Sequence, residues 1–145
     1  MKTNTIELYI HIPFCKSKCK YCDFCSFRAE EETIHAYLGK LKEELIFWGK
    51  KLAARDVVTV FIGGGTPSYL REDIQMICET IFEHFHICED AEITIEANPG
   101  TVDLKKLCTY RENGINRISF GLQSTVKEEL EYLGRIHTYE EFLQS

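Results

Sequence analysis

The chain has 145 residues, 44% of them hydrophobic and 12% aromatic, with a formal net charge of -6. That apolar content suits one folded globular domain and excludes a disordered tail, while the acidic balance excludes a general nucleic-acid binder. The opening Met1-Lys2-Thr3-Asn4 lacks the pattern of a signal peptide and no run approaches the length of a membrane span. With seven cysteines, an odd number, the chain reads as a reduced, cytoplasmic protein rather than a disulfide framework.

Residues 8–12 predict a first strand. Just beyond it, Cys15, Cys19 and Cys22 form a C-x3-C-x2-C run. Three thiolates are one short of a closed tetrahedral site, so a metal centre on them keeps a position open for a substrate or cofactor. Structural zinc sites use four Cys or His ligands, usually in two pairs, and ferredoxin runs bring a fourth cysteine. Cys25 is a candidate fourth donor, which leaves a zinc or four-thiolate site as the alternative. Lys16, Lys18, Lys20 and Arg28 surround the thiols, with Asp23 alone opposing them. These cations either stabilise thiolates and a reduced cluster or form a solvated basic loop. Charge alone does not choose.

A helix is predicted over 33–52, where Ile34, Leu38, Leu41, Leu45, Trp48 and Leu52 repeat at helical spacing. The β-branched run 57–62 predicts a second strand, ending in Gly63-Gly64-Gly65-Thr66-Pro67-Ser68. Three glycines allow close backbone approach to a ligand and expose amide donors; the lysine of a phosphate P-loop is missing. A second helix carries Ile74, Ile77, Ile81, Phe82 and Phe85 on one side. A strand over 92–97, a helix over about 103–113 stopped by Gly114, and a strand over 117–123 follow. Thr125 and Glu128 have capping-box spacing for a helix that Gly134 ends, and Thr138 and Glu141 repeat that spacing near the end. Cys78 and Cys108 fall in helical patterns, where cysteine acts as a small apolar side chain. His35, His84, His86 and His137 are expected at the surface or at helix ends. His11 shows none of a catalytic base's surroundings.

Regular strand–helix alternation with short loops predicts an α/β fold with a parallel sheet and right-handed crossovers. Side chains alternate across a strand, so Leu8, Ile10 and Ile12 oppose Tyr9 and His11, and Val58, Val60 and Ile62 oppose Thr59, Phe61 and Gly63. Ile93 and Ile95 likewise oppose Thr94 and Glu96, and Ile118, Phe120 and Leu122 oppose Ser119, Gly121 and Gln123. Each strand thus has one apolar and one mixed face. A closed barrel interior is packed with bulky branched residues, which the mixed face does not supply. That face is therefore expected to line a ligand cavity, into which Glu96 and Gln123 point. Four strands cannot close a barrel and leave both edges open. The chain reads as the front portion of a longer protein, against a small self-sufficient domain.

Six stretches closely resemble the radical S-adenosylmethionine (SAM) superfamily: 8–15 (LYIHIPFC), 21–24 (YCDF), 61–68 (FIGGGTPS), 96–100 (EANPG), 117–124 (RISFGLQS) and 133–137 (LGRIH). Within it they resemble the branch holding oxygen-independent coproporphyrinogen III oxidases and HemW-type haem chaperones. The resemblance implies a TIM-type (βα)n barrel cut off after about four βα units, with residues 1–145 forming the N-terminal part of the core. It implies that Cys15, Cys19 and Cys22 hold a 4Fe-4S cluster whose remaining iron is chelated by SAM. Tyr9 and Tyr21 match positions flanking the cofactor. Gly64, Gly65 and Thr66 match the motif receiving the methionine amino group. Glu96, Gln123 and Arg135 match further SAM contacts, Arg135 as partner of the carboxylate. The implied chemistry is one-electron cleavage of SAM, giving a 5′-deoxyadenosyl radical, with a donor such as flavodoxin or ferredoxin. That step uses no acid–base pair.

Within the branch, the oxidases carry a cysteine two positions after the third ligand, where this chain has Phe24. Tyr21-Cys22-Asp23-Phe24 resembles the haem-chaperone side, although those proteins usually lack a cysteine at the position of Cys25. The resemblance therefore implies a haem-binding protein delivering haem to acceptor proteins. A porphyrinogen-oxidising enzyme of porphyrin biosynthesis is the second reading and a non-catalytic metal-binding module the third. Haem and substrate contacts are expected beyond residue 145, so the piece is expected to be inactive alone.

Overall fold

The computed structural model describes residues 4–70 and 72–145, so residues 1–3 of the opening segment lie outside the described residues. Strands β1 (Thr5–Ile12), β2 (Asp56–Gly64), β3 (His86–Ala97) and β4 (Arg117–Phe120) form one parallel sheet in sequence order. Helices α1 (Glu31–Lys51), α2 (Asp73–His84) and α3 (Leu104–Glu112) carry the chain between strands, and α4 (Lys127–Leu133) and α5 (Tyr139–Gln144) follow β4. The α/β class and the succession of βα units agree with the sequence reading.

The apolar face of the sheet is the core. Ile10, Ile12, Val60, Ile62, Ile93 and Ile95 are buried in one cluster with Ile34, Leu38 and Leu45 of α1 and Ile74, Ile77 and Ile81 of α2. Full burial of each such side chain stabilises by about 1.5–3 kcal/mol. In α1, Glu31 and Glu32 in the first turn and Lys50 and Lys51 in the last complement the helix dipole. Asp103 caps α3, its Oδ1 accepting the Lys106 amide at 2.8 Å. Gly114 and Gly134 end helices in the left-handed conformation (φ 82 and 74). The expected Thr138–Glu141 capping box is formed at α5.

Several local expectations are corrected. Trp48 is exposed rather than on the buried stripe, and Gly49 takes the contact with α2. A Cβ there would lie 2.6 Å from the His84 carbonyl oxygen, so the helices touch where only glycine fits. Phe82 also faces outward, over Gly114. Cys108 is exposed, while Cys78 is buried and its thiol is pushed up to about 12 by desolvation. In β2, Val57 rather than Val58 joins Val60 and Ile62 in the core, because the register slips between Val57 and Thr59; such a bulge adds one residue and inverts the alternation. β3 begins at His86, six residues early, since its first pairs with Asp56 and Val57 precede an excursion carrying exposed Glu89 and Asp90. β4 stops at Phe120, and Gln123 turns the chain with φ 72. No Thr125–Glu128 box forms: Val126 is the N-cap of α4, and the Ser124 hydroxyl accepts the Val126 amide and donates to Glu129.

Candidate functional site

The cysteine loop is tied to the sheet at its neck. Phe14 pairs with Phe27, the Cys15 amide donates to the Phe27 carbonyl and the Phe27 amide to the Pro13 carbonyl. The end of β2 grips the same neck, the Gly65 amide donating to the Ile12 carbonyl at 2.7 Å and the Thr66 amide to the Phe14 carbonyl at 2.8 Å. A Cβ on Gly65 would sit 2.7 Å from the Phe14 oxygen and 2.9 Å from the Ile12 oxygen, so the close approach is between two segments of this chain. The amides of Gly64, Gly65 and Thr66 all have partners within the protein, that of Gly64 being Glu96 Oε2 at 3.0 Å.

The far side of the loop is held through three successive carbonyls. Lys18 Nζ donates to those of Phe24 (3.0 Å) and Ser26 (3.2 Å), and His11 Nε2 donates to that of Cys25 (2.9 Å). A carbonyl only accepts, so His11 Nε2 carries a proton, and Nδ1 pairs with the Tyr9 hydroxyl at 3.0 Å. The strap from Leu133 to His137 contacts the loop at Lys20. The Lys20 amide donates to the Leu133 carbonyl, and Gly134 packs on Lys20.

Within this frame Cys15, Cys19 and Cys22 border one cavity of about 410 Å³. Tyr21, Gly64, Gly65, Thr66, Glu96, Gln123 and Arg135 also line it. Of the residues predicted from sequence, Tyr9 does not: it stacks on Phe61 and reaches the loop through His11. Cys25 is exposed and likewise outside the lining. Each bordering thiol has its own polar neighbour. Thr66 Oγ1 donates to Cys15 Sγ (3.5 Å), Arg135 Nη1 donates to Cys19 Sγ (3.2 Å), and Ser26 Oγ lies 3.9 Å from Cys22 Sγ. Among the described residues, no three His, Cys, Asp or Glu side chains gather tightly enough for a single metal ion.

Asn98, within the 96–100 stretch, also lines the cavity, although its residue type and spacing gave it no role in the sequence. Its Nδ2 donates to Thr66 Oγ1 at 3.0 Å and its Oδ1 accepts from Arg135 Nη2 at 2.7 Å. It sits two residues beyond Glu96, so strand alternation gave the only available signal. Arg135 also donates to the Gly121 carbonyl, while its Nε is buried without a partner among the described residues. Burial pushes the Tyr21 phenol up, against the opposing pull of the Arg135 guanidinium. Burial and the Glu96 carboxylate push the Tyr9 phenol up. His137, expected at the surface or at a helix end, directly precedes the N-cap of α5 but is buried, donating to the Leu122 carbonyl at 3.1 Å; desolvation, then Arg135, pull it below the usual histidine range.

The sequence profile of the Radical SAM superfamily matches residues 9–145. The chain belongs to the radical SAM superfamily. It is 44% identical over 139 residues to the haem chaperone HemW of Escherichia coli (strain K12) and 37% identical to that of Bacillus subtilis (strain 168). Each match covers 94% of this chain and 37% of the relative. A mitochondrial radical S-adenosyl methionine domain-containing protein 1 from Bos taurus is 34% identical over 145 residues, 95% of this chain and 31% of that one. Among solved structures, coproporphyrinogen III oxidase (HemN) from Escherichia coli, a radical SAM enzyme, superposes with a TM-score of 0.88 at 34% identity. The superposition covers 97% of this chain and 33% of that one. This radical SAM chain thus spans about a third of the length of the relatives it matches. Among the described residues, no helix is long and apolar enough to cross a membrane.

Proposed function

We propose that Cys15, Cys19 and Cys22 hold a 4Fe-4S cluster, with SAM beside it, in the cofactor-holding part of a HemW-type haem chaperone. The observation that carries this reading is the facing of three thiols onto one cavity that Glu96, Gln123 and Arg135 also line. The donor set fits the group. Three soft sulfur donors bordering one cavity suit an iron–sulfur centre, and Cys25 is exposed and outside that lining. The volume suits a small-molecule ligand. The unpartnered buried Arg135 Nε supports an anionic acceptor such as the SAM carboxylate.

When bound, the cluster and SAM supply one-electron chemistry that side chains lack. The chain's own part is positioning. The neck bonds from Gly65 and Thr66 fix where Cys15 emerges, and Lys18 and His11 hold the far side of the loop. Glu96, one oxygen held by the Gly64 amide, offers its carboxylate to hydroxyl or ammonium groups. Tyr21 and Phe24 add two exposed aromatic rings to the cavity lining.

Two features favour the chaperone over the oxidase. Phe24 stands where, by the family resemblance, the oxidases carry a cysteine, and the Escherichia coli and Bacillus subtilis relatives are both named haem chaperone HemW. The likeness to coproporphyrinogen III oxidase supports the second reading, a porphyrinogen-oxidising enzyme. Haem, an acceptor protein, an electron donor such as flavodoxin or ferredoxin, and a cytoplasmic setting belong to the proposal for the whole protein.

Anaerobic reconstitution with iron and sulfide, followed by absorbance and EPR with and without SAM, tests the site. The expected result is a cluster spectrum that SAM alters and that Cys15→Ala, Cys19→Ala or Cys22→Ala abolishes, while Cys25→Ala leaves it intact. A cluster that survives replacement of all three thiols refutes the assignment. In the full-length protein, haem retention without porphyrinogen turnover supports the chaperone, and SAM-dependent porphyrinogen loss supports the oxidase.

A further inference from the structure

Donor and acceptor arithmetic around Asn98 fixes the direction of a side-chain relay between two of the thiols. A guanidinium only donates, so the Asn98 atom 2.7 Å from Arg135 Nη2 is the amide oxygen, and the NH2 group necessarily faces Thr66. Thr66 Oγ1 therefore accepts from Asn98, and its single proton is left to point at Cys15 Sγ, 3.5 Å away. At the other end, the Asn98 oxygen and the Gly121 carbonyl hold Arg135 Nη2, which aims Nη1 at Cys19 Sγ, 3.2 Å away. The relay joins residues from the end of β2, the end of β3 and the strap after α4. Gly121 leaves room for it: a Cβ there would lie 2.9 Å from Asn98 Oδ1.

We propose that Asn98 is a positioning residue which, by orienting the Thr66 hydroxyl and the Arg135 guanidinium, sets the hydrogen bonds to Cys15 and Cys19 and thereby raises the reduction potential of the cluster they hold. The inference rests on the cluster assignment above. Hydrogen bonds to cluster sulfurs stabilise the more negative, reduced state and are a recognised lever on potential. Without the Asn98 amide, the Thr66 hydroxyl is free to rotate away and Arg135 Nη2 keeps only the Gly121 carbonyl of its two acceptors.

The test is a double-mutant cycle on the reconstituted full-length protein, read as midpoint potential by EPR-monitored titration and as Fe–S stretching frequencies by resonance Raman. Asn98→Leu and Thr66→Val each remove one link without adding charge, and Thr66→Ser keeps the hydroxyl. Expected is a shift to more negative potential in both, the larger in Asn98→Leu, at wild-type iron content. Thr66→Ser keeps the wild-type value, and the double variant falls no lower than Asn98→Leu, because the hydroxyl acts through the amide. An unchanged potential in Asn98→Leu, or fully additive shifts, overturns the relay while leaving the cluster in place. If Asn98→Leu fails to fold, the Thr66 pair still decides: equal potentials in Thr66→Val and Thr66→Ser overturn the proposal. A wild-type protein that assembles no cluster instead removes the assignment on which the inference rests.

Discussion

Replacing Gly65 by alanine perturbs the joint between the cysteine loop and the sheet without touching a thiol. The added methyl would meet three backbone atoms, Phe14 O at 2.7 Å, Ile12 O at 2.9 Å and Phe14 N at 2.9 Å. None lies at the end of a flexible side chain, so β2 and the loop neck must part. Overpacking of this kind costs about 1–3 kcal/mol. The same movement weakens the bonds from the Gly65 and Thr66 amides, each worth about 0.5–1.5 kcal/mol. The expected loss is about 2–6 kcal/mol, a large part of the stability of an ordinary domain. Urea unfolding of the metal-free protein measures it apart from any cofactor contact, and reconstitution should then load less iron. Gly39→Ala is the control. It sits in α1 with nothing within 4 Å of the new methyl, so helix propensity alone should raise stability by about 0.5–1 kcal/mol. A Gly65→Ala protein within about 0.5 kcal/mol of wild type, the usual range for harmless surface changes, would refute the packing argument.

Other consequences are as direct. Lys18→Met removes two bonds to loop carbonyls; chymotryptic cleavage after Tyr21 or Phe24 in the metal-free protein should quicken roughly fivefold, while Lys18→Arg stays near wild type. His137 has a depressed pKa in the fold, so between that value and the ordinary 6.5 the unfolded chain binds more protons. Melting temperature should therefore fall as pH drops below about 6.5, and His137→Gln should flatten that slope. Thr138→Ala breaks the capping box of α5 and should cost about 1 kcal/mol in unfolding free energy. Trp48→Lys, on the exposed side of α1, should change stability by less than about 0.5 kcal/mol, whereas Leu45→Ala in the core should cost about 2–5 kcal/mol in the same assay.

The sequence by itself determined the βα order, the apolar face of the sheet, and the loop on which Cys15, Cys19 and Cys22 stand. These depend on spacing along the chain: period two in the strands, helical period in α1 and α2, and motif blocks a few residues long. Glu96 was legible for the same reason, since alternation assigns a face; Gln123 reaches the cavity from the turn beyond β4, where alternation does not apply. Where local rules failed, a through-space neighbour had overruled them. The His84 carbonyl displaced Trp48 in favour of Gly49, a bulge shifted the core face of β2 from Val58 to Val57, and the Ser124–Glu129 contact replaced the Thr125 cap. Tertiary structure alone decided the partners of the site: the glycine turn grips the loop neck, His11 and Lys18 hold successive carbonyls, and Asn98 joins Thr66 to Arg135. Those contacts unite side chains from different βα units. Their distances depend on how the parallel strands register, which no single stretch of residues encodes.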